Sequence, residues 1–289
     1  MKDDTVLQWD KIDLLLAGAI EEDLGRVGDI TTDSIIPKEK QGKGIFVVKE
    51  KGVIAGIPFV NRLFQLIDAN LFLFWDVDEG MFVDKNQHIG QILGTLRSIF
   101  YGERIALNLL QRLSGIATLT SHFVQAVKGT RVKINDTRKT TPQLRLLEKY
   151  AVRIGGGLNH RSGLYDMVLI KDNHIDASGG ISQAIENCLE NKEIKKSDVK
   201  IVVETRTLDE VRKAIQYPIH RIMLDNMDIQ TIREAIKVIN HKIEIEVSGN
   251  ISLESIGEVA KTGVDFISVG ALTHSPNALD ISLKMVSNK

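Results

Sequence analysis

Cysteine is nearly absent from this chain, with Cys188 the single example in 289 residues. One thiol excludes an internal disulfide and suits a reducing compartment. Cys188 falls in a helical pattern with Ala184, Ile185 and Leu189, where it reads as core filler rather than a nucleophile. Long hydrophobic runs are missing as well, and none approaches the roughly 20 residues needed to span a bilayer. The opening Met1-Lys2-Asp3-Asp4 has none of the apolar core of a signal peptide. Neither charge sign is in excess, with 37 Lys and Arg against 38 Asp and Glu. That balance argues against a general nucleic-acid or membrane-surface binder. The absences together predict a soluble cytoplasmic protein whose partner is small.

With 43% hydrophobic residues, the chain can bury a large core. From about Arg131 onward, apolar β-rich runs alternate with amphipathic stretches. Candidate strands are Val132–Asn135, Met167–Ile170, Ile201–Val203, Arg221–Leu224, Ile243–Val247 and Phe266–Val269. Helical patterns lie between them, near 142–154, 180–190, 207–216, 228–240 and 251–262. Short, wholly apolar strands joined by helices predict a parallel sheet covered on both faces. The number of βα units favours an incomplete parallel α/β barrel, with an open doubly wound sheet as the alternative. The first hundred or so residues differ: a helix over Trp9–Leu24, strands at Gly44–Val48, Gly52–Ala55, Leu71–Val77 and Ile89–Leu96, and a short helix at Pro58–Ile67. This mixture reads as a separate α+β domain. A long helix, Glu103–Val127, interrupted at Ser114-Gly115, links the two. The expected domains are 1–113 and 114–289, with a last helix that packs back on the first domain.

In parallel barrels the βα loops at the strand ends converge on the active site. Here the successive ends carry Thr137-Arg138-Lys139, Lys171-Asp172-Asn173-His174, Glu204, Asp225-Asn226, Ser248-Gly249-Asn250 and Val269-Gly270-Ala271. Between Thr137 and His174 there are seven Lys or Arg residues against three acids. A local cationic excess at strand ends predicts a pocket for a small, multiply charged anion. The carboxylates Glu204 and Asp225, opposite, can hold magnesium, sugar hydroxyls or a developing positive charge. Ser248-Gly249-Asn250 and Gly270-Ala271 are expected to open helices, whose N–H groups suit phosphate. Gly155-Gly156-Gly157 reads as a flexible loop that lays His160 and Arg161 over the same mouth, whereas His174 reads equally well as a local cap. Arg104 and Arg112, taken alone, read as solvated charges on an amphipathic face. Lys171 on a barrel strand is also compatible with Schiff-base chemistry.

Taken in order, these blocks resemble the quinolinate phosphoribosyltransferase family. The likeness is carried by Gly28-Asp29-Ile30-Thr31-Thr32, Glu103-Arg104, Asn108, Leu113–Thr118, Thr137–Pro142, Gly155–Arg161, Leu169–His174, Glu204, Asp225, Ser248–Asn250 and Gly270. The resemblance implies an N-terminal open-sandwich domain, an incomplete α/β barrel and a homodimer. In that dimer Arg104 completes the neighbouring subunit's site. The implied substrates are quinolinate and phosphoribosyl pyrophosphate with Mg2+, without an organic cofactor. The implied roles place Lys139 and Lys171 beside the leaving pyrophosphate and a substrate carboxylate. Arg104, Arg138, His160 and Arg161 fall on the quinolinate carboxylates, Glu204 and Asp225 on ribose and any metal, and Ser248–Asn250 with Gly270 on the 5′-phosphate. A related phosphoribosyltransferase acting on another acid remains the nearest rival.

Overall fold

The computed structural model describes residues 7–286. The Met1-Lys2-Asp3-Asp4 start lies outside the described residues. Two compact units emerge. The first holds the chain up to Leu119, Leu146–Gly155 and the chain from Pro276 on, and the second holds Thr120–Arg145 and Gly156–Ser275.

The first unit begins with α1 (Trp9–Leu24), which buries Ile12 and Leu16 one turn apart. Helix α2 (Ile30–Ile35) follows, and no sequence pattern announced it. Its signal is Asp29, whose carboxylate accepts the Thr31 and Thr32 N–H groups at 3.0 and 2.9 Å and so caps the helix. Next come β1 (Gln41–Val48), β2 (Gly52–Val53), α3 (Ile57–Ile67), β3 (Phe72–Trp75), β4 (Phe82–Val83) and β5 (His88–Thr95). Helix α4 (Leu96–Ala126) runs from the first unit into the second. The expected break at Ser114-Gly115 does not occur. Ser114 Oγ instead accepts the Ala55 N–H at 3.0 Å, and a side chain at Gly115 would collide with the backbone of Asn277. The glycine therefore serves close approach and not a bend.

The second unit carries β6 (Lys133–Asn135), then α5 (Arg145–Ile154), most of which groups with the first unit. There follow β7 (Val168–Ile170), α6 (Asp172–Ala177), α7 (Ile181–Glu190), α8 (Lys192–Lys195), β8 (Ile201–Thr205), α9 (Leu208–Ala214), β9 (Arg221–Asp225), α10 (Ile229–Ile239), β10 (Glu244–Ser248), α11 (Ile256–Ala260), β11 (Phe266–Ser268) and α12 (Ala271–His274). Helix α10 shows why such segments fold locally. Asp228 caps its start through the Thr231 N–H, left-handed Asn240 ends it, and Ile232, Ala235 and Ile239 recur on the buried face. The final element, β12 (Ile281–Val286), returns to the first unit. It is a strand because buried Ile281 and Leu283 alternate with more exposed Ser282 and Lys284 at period two, and the element that packs back on the first unit is this strand. β12 pairs antiparallel with β1 in a four-stranded sheet ordered β12-β1-β5-β3, beside a two-stranded β2-β4 ribbon.

Six parallel strands run in the order β6-β11-β10-β9-β8-β7. This is the sequential order of an α/β barrel left open between β6 and β7. Near that opening, Leu158 makes an isolated parallel bridge to Asn135. The strands are not wholly apolar as expected. Register places Leu169, Val202, Arg221, Glu244, Phe266 and Lys133 in rows, with Glu204, Met223, Glu246, Ser268 and Asn135 continuing along the same face. The opposite face is almost purely aliphatic: Ile134, Ile170, Val203, Leu224, Val247 and Ile267 are all buried. Because side chains alternate along a strand, one face is core and the other brings polar groups together.

Candidate active site

A cavity of about 660 Å³ opens at the C-terminal ends of the parallel strands. Its lining includes Thr137, Arg138, Lys139, His160, Arg161, Lys171, Glu204, Asp225, Ser248, Gly249, Asn250, Gly270 and Ala271, so most of the residues singled out from the sequence meet in one place. Two do not. Val269 is 1% exposed on the aliphatic face, and its N–H donates to Asn135 O at 2.9 Å. Arg104 lies exposed on α4 in the first unit, a turn before exposed Asn108. Arg112, on the same helix, is not a solvated charge. It pairs at 2.8 Å with Glu148, whose side chain is fully buried.

The loop after β6 fixes the cationic wall. Thr137 Oγ1 accepts the Lys139 N–H at 3.1 Å, while Thr273 Oγ1 donates to Lys139 O at 2.7 Å. Gly270 leaves room for this packing, since an added Cβ would lie 3.0 Å from the Lys139 side chain. Arg161 is buried beside Arg138. Burial first, and then the adjacent Arg138 guanidinium, lower its proton affinity, with Asp166 opposing them. An arginine remains a cation under such conditions, so the site stores unbalanced positive charge that an anion would neutralise.

The glycine-rich segment is tethered rather than flexible. Asp136, fully buried, accepts the Asn159 side-chain amide and the His160 N–H, each at 2.7 Å. Asp136 stands directly between the β6 residues and Thr137, and that strand-end position is its only signal in the sequence. His174 does not line the cavity. Its Nδ1 accepts the Lys171 N–H at 3.0 Å, as a cap for α6.

Glu204 and Asp225 end adjacent strands on the inward face. Burial raises the Glu204 pKa, and the Asp225 charge raises it further, against opposing pulls from Lys171 and the Asp172 N–H. A buried acid beside a second acid is poised for a cation or for hydroxyl donors. Among the described residues no cluster of three or more His, Cys, Asp or Glu side chains could hold a metal ion. Two carboxylates nonetheless fit Mg2+ that arrives with a phosphorylated ligand, because that ion takes most of its oxygen ligands from water and phosphate.

The third wall differs from expectation. Ser248-Gly249-Asn250 does not open a helix, as α11 begins only at Ile256. The segment is a turn with positive φ at Gly249 (97°) and Asn250 (48°). Asn226 N donates to Ser248 O at 3.0 Å, and Asn226 Oδ1 accepts from Asn250 Nδ2 at 3.1 Å. Any side chain at Gly249 would strike Asn226. Gly270 does precede a helix, the short α12. Residues not expected in the lining are Leu169 and Met223, which form an apolar floor, together with Ser268, Ile251 and His274. Inward parity on β7, β9 and β11 is the signal that would have identified Leu169, Met223 and Ser268.

Comparisons with known proteins agree with this architecture. Residues 29–114 match the N-terminal domain of quinolinate phosphoribosyl transferase, and residues 116–284 match its C-terminal domain. A probable nicotinate-nucleotide pyrophosphorylase (carboxylating) of Synechocystis is 45% identical over 284 residues, covering 97% of this chain and 94% of its own. A mitochondrial quinolinate phosphoribosyltransferase (decarboxylating) of Nicotiana glauca is 43% identical over 92% of this chain and 80% of its own length. The crystal structure of NadC from Streptococcus pyogenes superposes with a TM-score of 0.92 at 39% identity, over 98% of this chain and 99% of that one. On these matches, the chain belongs to the quinolinate phosphoribosyltransferase family.

Proposed function

We propose that this chain joins quinolinate to phosphoribosyl pyrophosphate, forming nicotinate mononucleotide with release of pyrophosphate and carbon dioxide, as a step of NAD biosynthesis. The observation that carries the reading is one cavity with Arg138, Lys139, Arg161 and Lys171 facing Glu204 and Asp225 over an apolar floor. The cations match a diacid and a pyrophosphate leaving group, and the floor of Leu169 and Met223 matches the face of a planar ring.

In this reading Arg138 and Arg161 grip the quinolinate carboxylates, and Lys139 and Lys171 lie beside the departing pyrophosphate. The pyridine nitrogen attacks the anomeric carbon as the C–O bond to pyrophosphate breaks. Glu204 and Asp225 then face the positive charge that develops on the ribose. Mg2+, held by these carboxylates and the substrate phosphates, would neutralise charge on the leaving group. Ser248, Gly249, Asn250, Gly270 and Ala271 take the 5′-phosphate end. Alkylation of the ring nitrogen makes the ring an electron sink, so the adjacent C–C bond breaks, carbon dioxide leaves and the ring carbon takes a proton. Exclusion of water favours that loss, because water stabilises the carboxylate.

The exposed Arg104 completes the site of a second subunit in a cytoplasmic homodimer. Incubation with quinolinate, phosphoribosyl pyrophosphate and Mg2+ should yield nicotinate mononucleotide and carbon dioxide in equal amounts. No product under those conditions would remove the reading. Subunit mixing tests the shared site: Arg104→Ala protein and Glu204→Gln protein, each impaired alone, should recover part of the activity as hybrids. Proven exchange without recovery would count against it.

A further inference from the structure

Two loops of the second unit carry the arginines of the cationic wall, and one side chain outside the cavity touches both. Arg138 follows β6, Arg161 precedes β7, and Arg145 stands at the start of α5 without lining the cavity. Arg145 Nε donates to Thr140 Oγ1 at 2.9 Å, and Arg145 Nη1 donates to Ser162 O at 3.0 Å. Both acceptors are neutral, and the one acid of α5, Glu148, pairs with Arg112. The Arg145 fork therefore joins the residue after Lys139 to the residue after Arg161. The backbone on each side is shaped for that contact. Leu144 N donates to Thr141 O at 3.1 Å across Pro142 and Gln143, and Gln143 has a φ of 69°. Proline followed by a left-handed residue makes a type II turn, whose left-handed position favours glycine. A glutamine held there is a local strain that the surroundings must enforce. This turn folds Arg145 back onto Thr140. In the other loop the Asp166 carboxylate accepts the Ser162 and Gly163 N–H groups at 2.6 and 3.1 Å, which leaves Ser162 O to Arg145.

The two loops have reason to part, because the guanidiniums of Arg138 and Arg161 stand close enough to repel. Arg161 is held at one nitrogen, where Nη1 donates to Met167 O at 3.1 Å, while Arg138 Nε is buried with no partner among the described residues. We propose that Arg145 braces these two loops and sets the spacing at which Arg138 and Arg161 meet the two carboxylates of the acid substrate. Arg145 touches no substrate and is a positioning residue. This deepens the quinolinate reading and rests on it for the kinetic part of the test.

Arg145→Ala should raise the quinolinate KM about tenfold, the effect of losing charged hydrogen bonds that hold the grip in place. The phosphoribosyl pyrophosphate KM should stay within about threefold, since Lys139 keeps its own anchors at Thr137 and Thr273. Arg145→Lys keeps the charge without the planar fork and should retain most of the defect. Full recovery in Arg145→Lys would mean that charge alone acts, and would overturn the proposal. In an Arg161→Ala background, removal of Arg145 should matter less than in wild type, because less remains to be positioned. Losses that simply multiply would overturn it as well. Amide hydrogen exchange gives a readout that needs no substrate. In Arg145→Ala, exchange should quicken together at residues 138–140 and 162–166 while the amides of β8, β9 and β10 hold. Quickening in neither loop or in one alone, or loss of the whole fold in both variants, would rule out the brace. If the wild-type protein neither binds nor turns over quinolinate, the parent reading fails, while the exchange pattern still decides whether Arg145 joins the loops.

Discussion

Glu204 and Glu246 occupy the same row of the parallel sheet, both opposite Met223, yet they live in different chemical worlds. Glu246, on the closed side, is enclosed by His160, Arg221 and Ser268. Burial pushes its pKa up, but those partners outweigh burial and hold it below the ordinary glutamate value. Glu204, at the open mouth, has burial and the Asp225 charge acting in the same direction, and its pKa is raised. A buried charge with all its partners built in is architecture. One whose protein partners fall short of balancing it is waiting for a ligand.

The sharpest way to break this comparison is to delete each acid. Glu246→Ala leaves Arg221 with Glu244 as its remaining carboxylate and strips buried Ser268 of its acceptor, and should cost about 1–3 kcal/mol of folding stability, read by denaturant unfolding. An unchanged unfolding midpoint would show that the closed network is not structural. Glu204→Gln should leave the fold intact but lower turnover well over tenfold, a barrier rise above about 1.4 kcal/mol. Lys139→Ala should behave likewise, and near-wild-type turnover in either would remove that residue from the mechanism.

The smallest effect is a pH dependence of opposite sign at the two acids. Glu246, with its folded pKa lowered, contributes stability above its unfolded pKa, and that contribution is lost as pH falls through the folded value. Glu204, with its folded pKa raised, destabilises the fold as pH climbs from its unfolded value through its folded one. Thermal melts of Glu204→Gln should therefore show a small gain over wild type at neutral pH that vanishes in acid. Melts of Glu246→Gln should show a deficit at neutral pH that narrows in acid. Parallel curves for the two variants would mean that their environments do not differ.

Elements with strong local signals were legible in the chain alone. Helix α1 falls at Trp9–Leu24 as read, and each of the six parallel strands lies within two residues of its expected bounds. The residues carried by strand ends were legible too, because a parallel strand in a βα unit delivers its next residues to one end of the sheet. Short or ambiguous patterns were not. β12 carries no clear signal in the chain, because six residues do not settle a period until β1 provides the pairing partner. Val269 reads as part of the mouth because its neighbour Gly270 is there, and only the alternation of strand faces separates them.

Composition and pattern by themselves determined the class of this protein. A nearly thiol-free, charge-balanced chain without long apolar runs, with repeating βα units and a cluster of cations at their ends, specifies a parallel α/β scaffold with a cationic mouth. Tertiary structure alone decided how those charges are partnered. Whether a glutamate is locked or available depends on what faces it from other strands. Arg221, Ser268 and His160 converge on Glu246 from places scattered over more than a hundred residues of chain, and only the folded sheet registers bring them together.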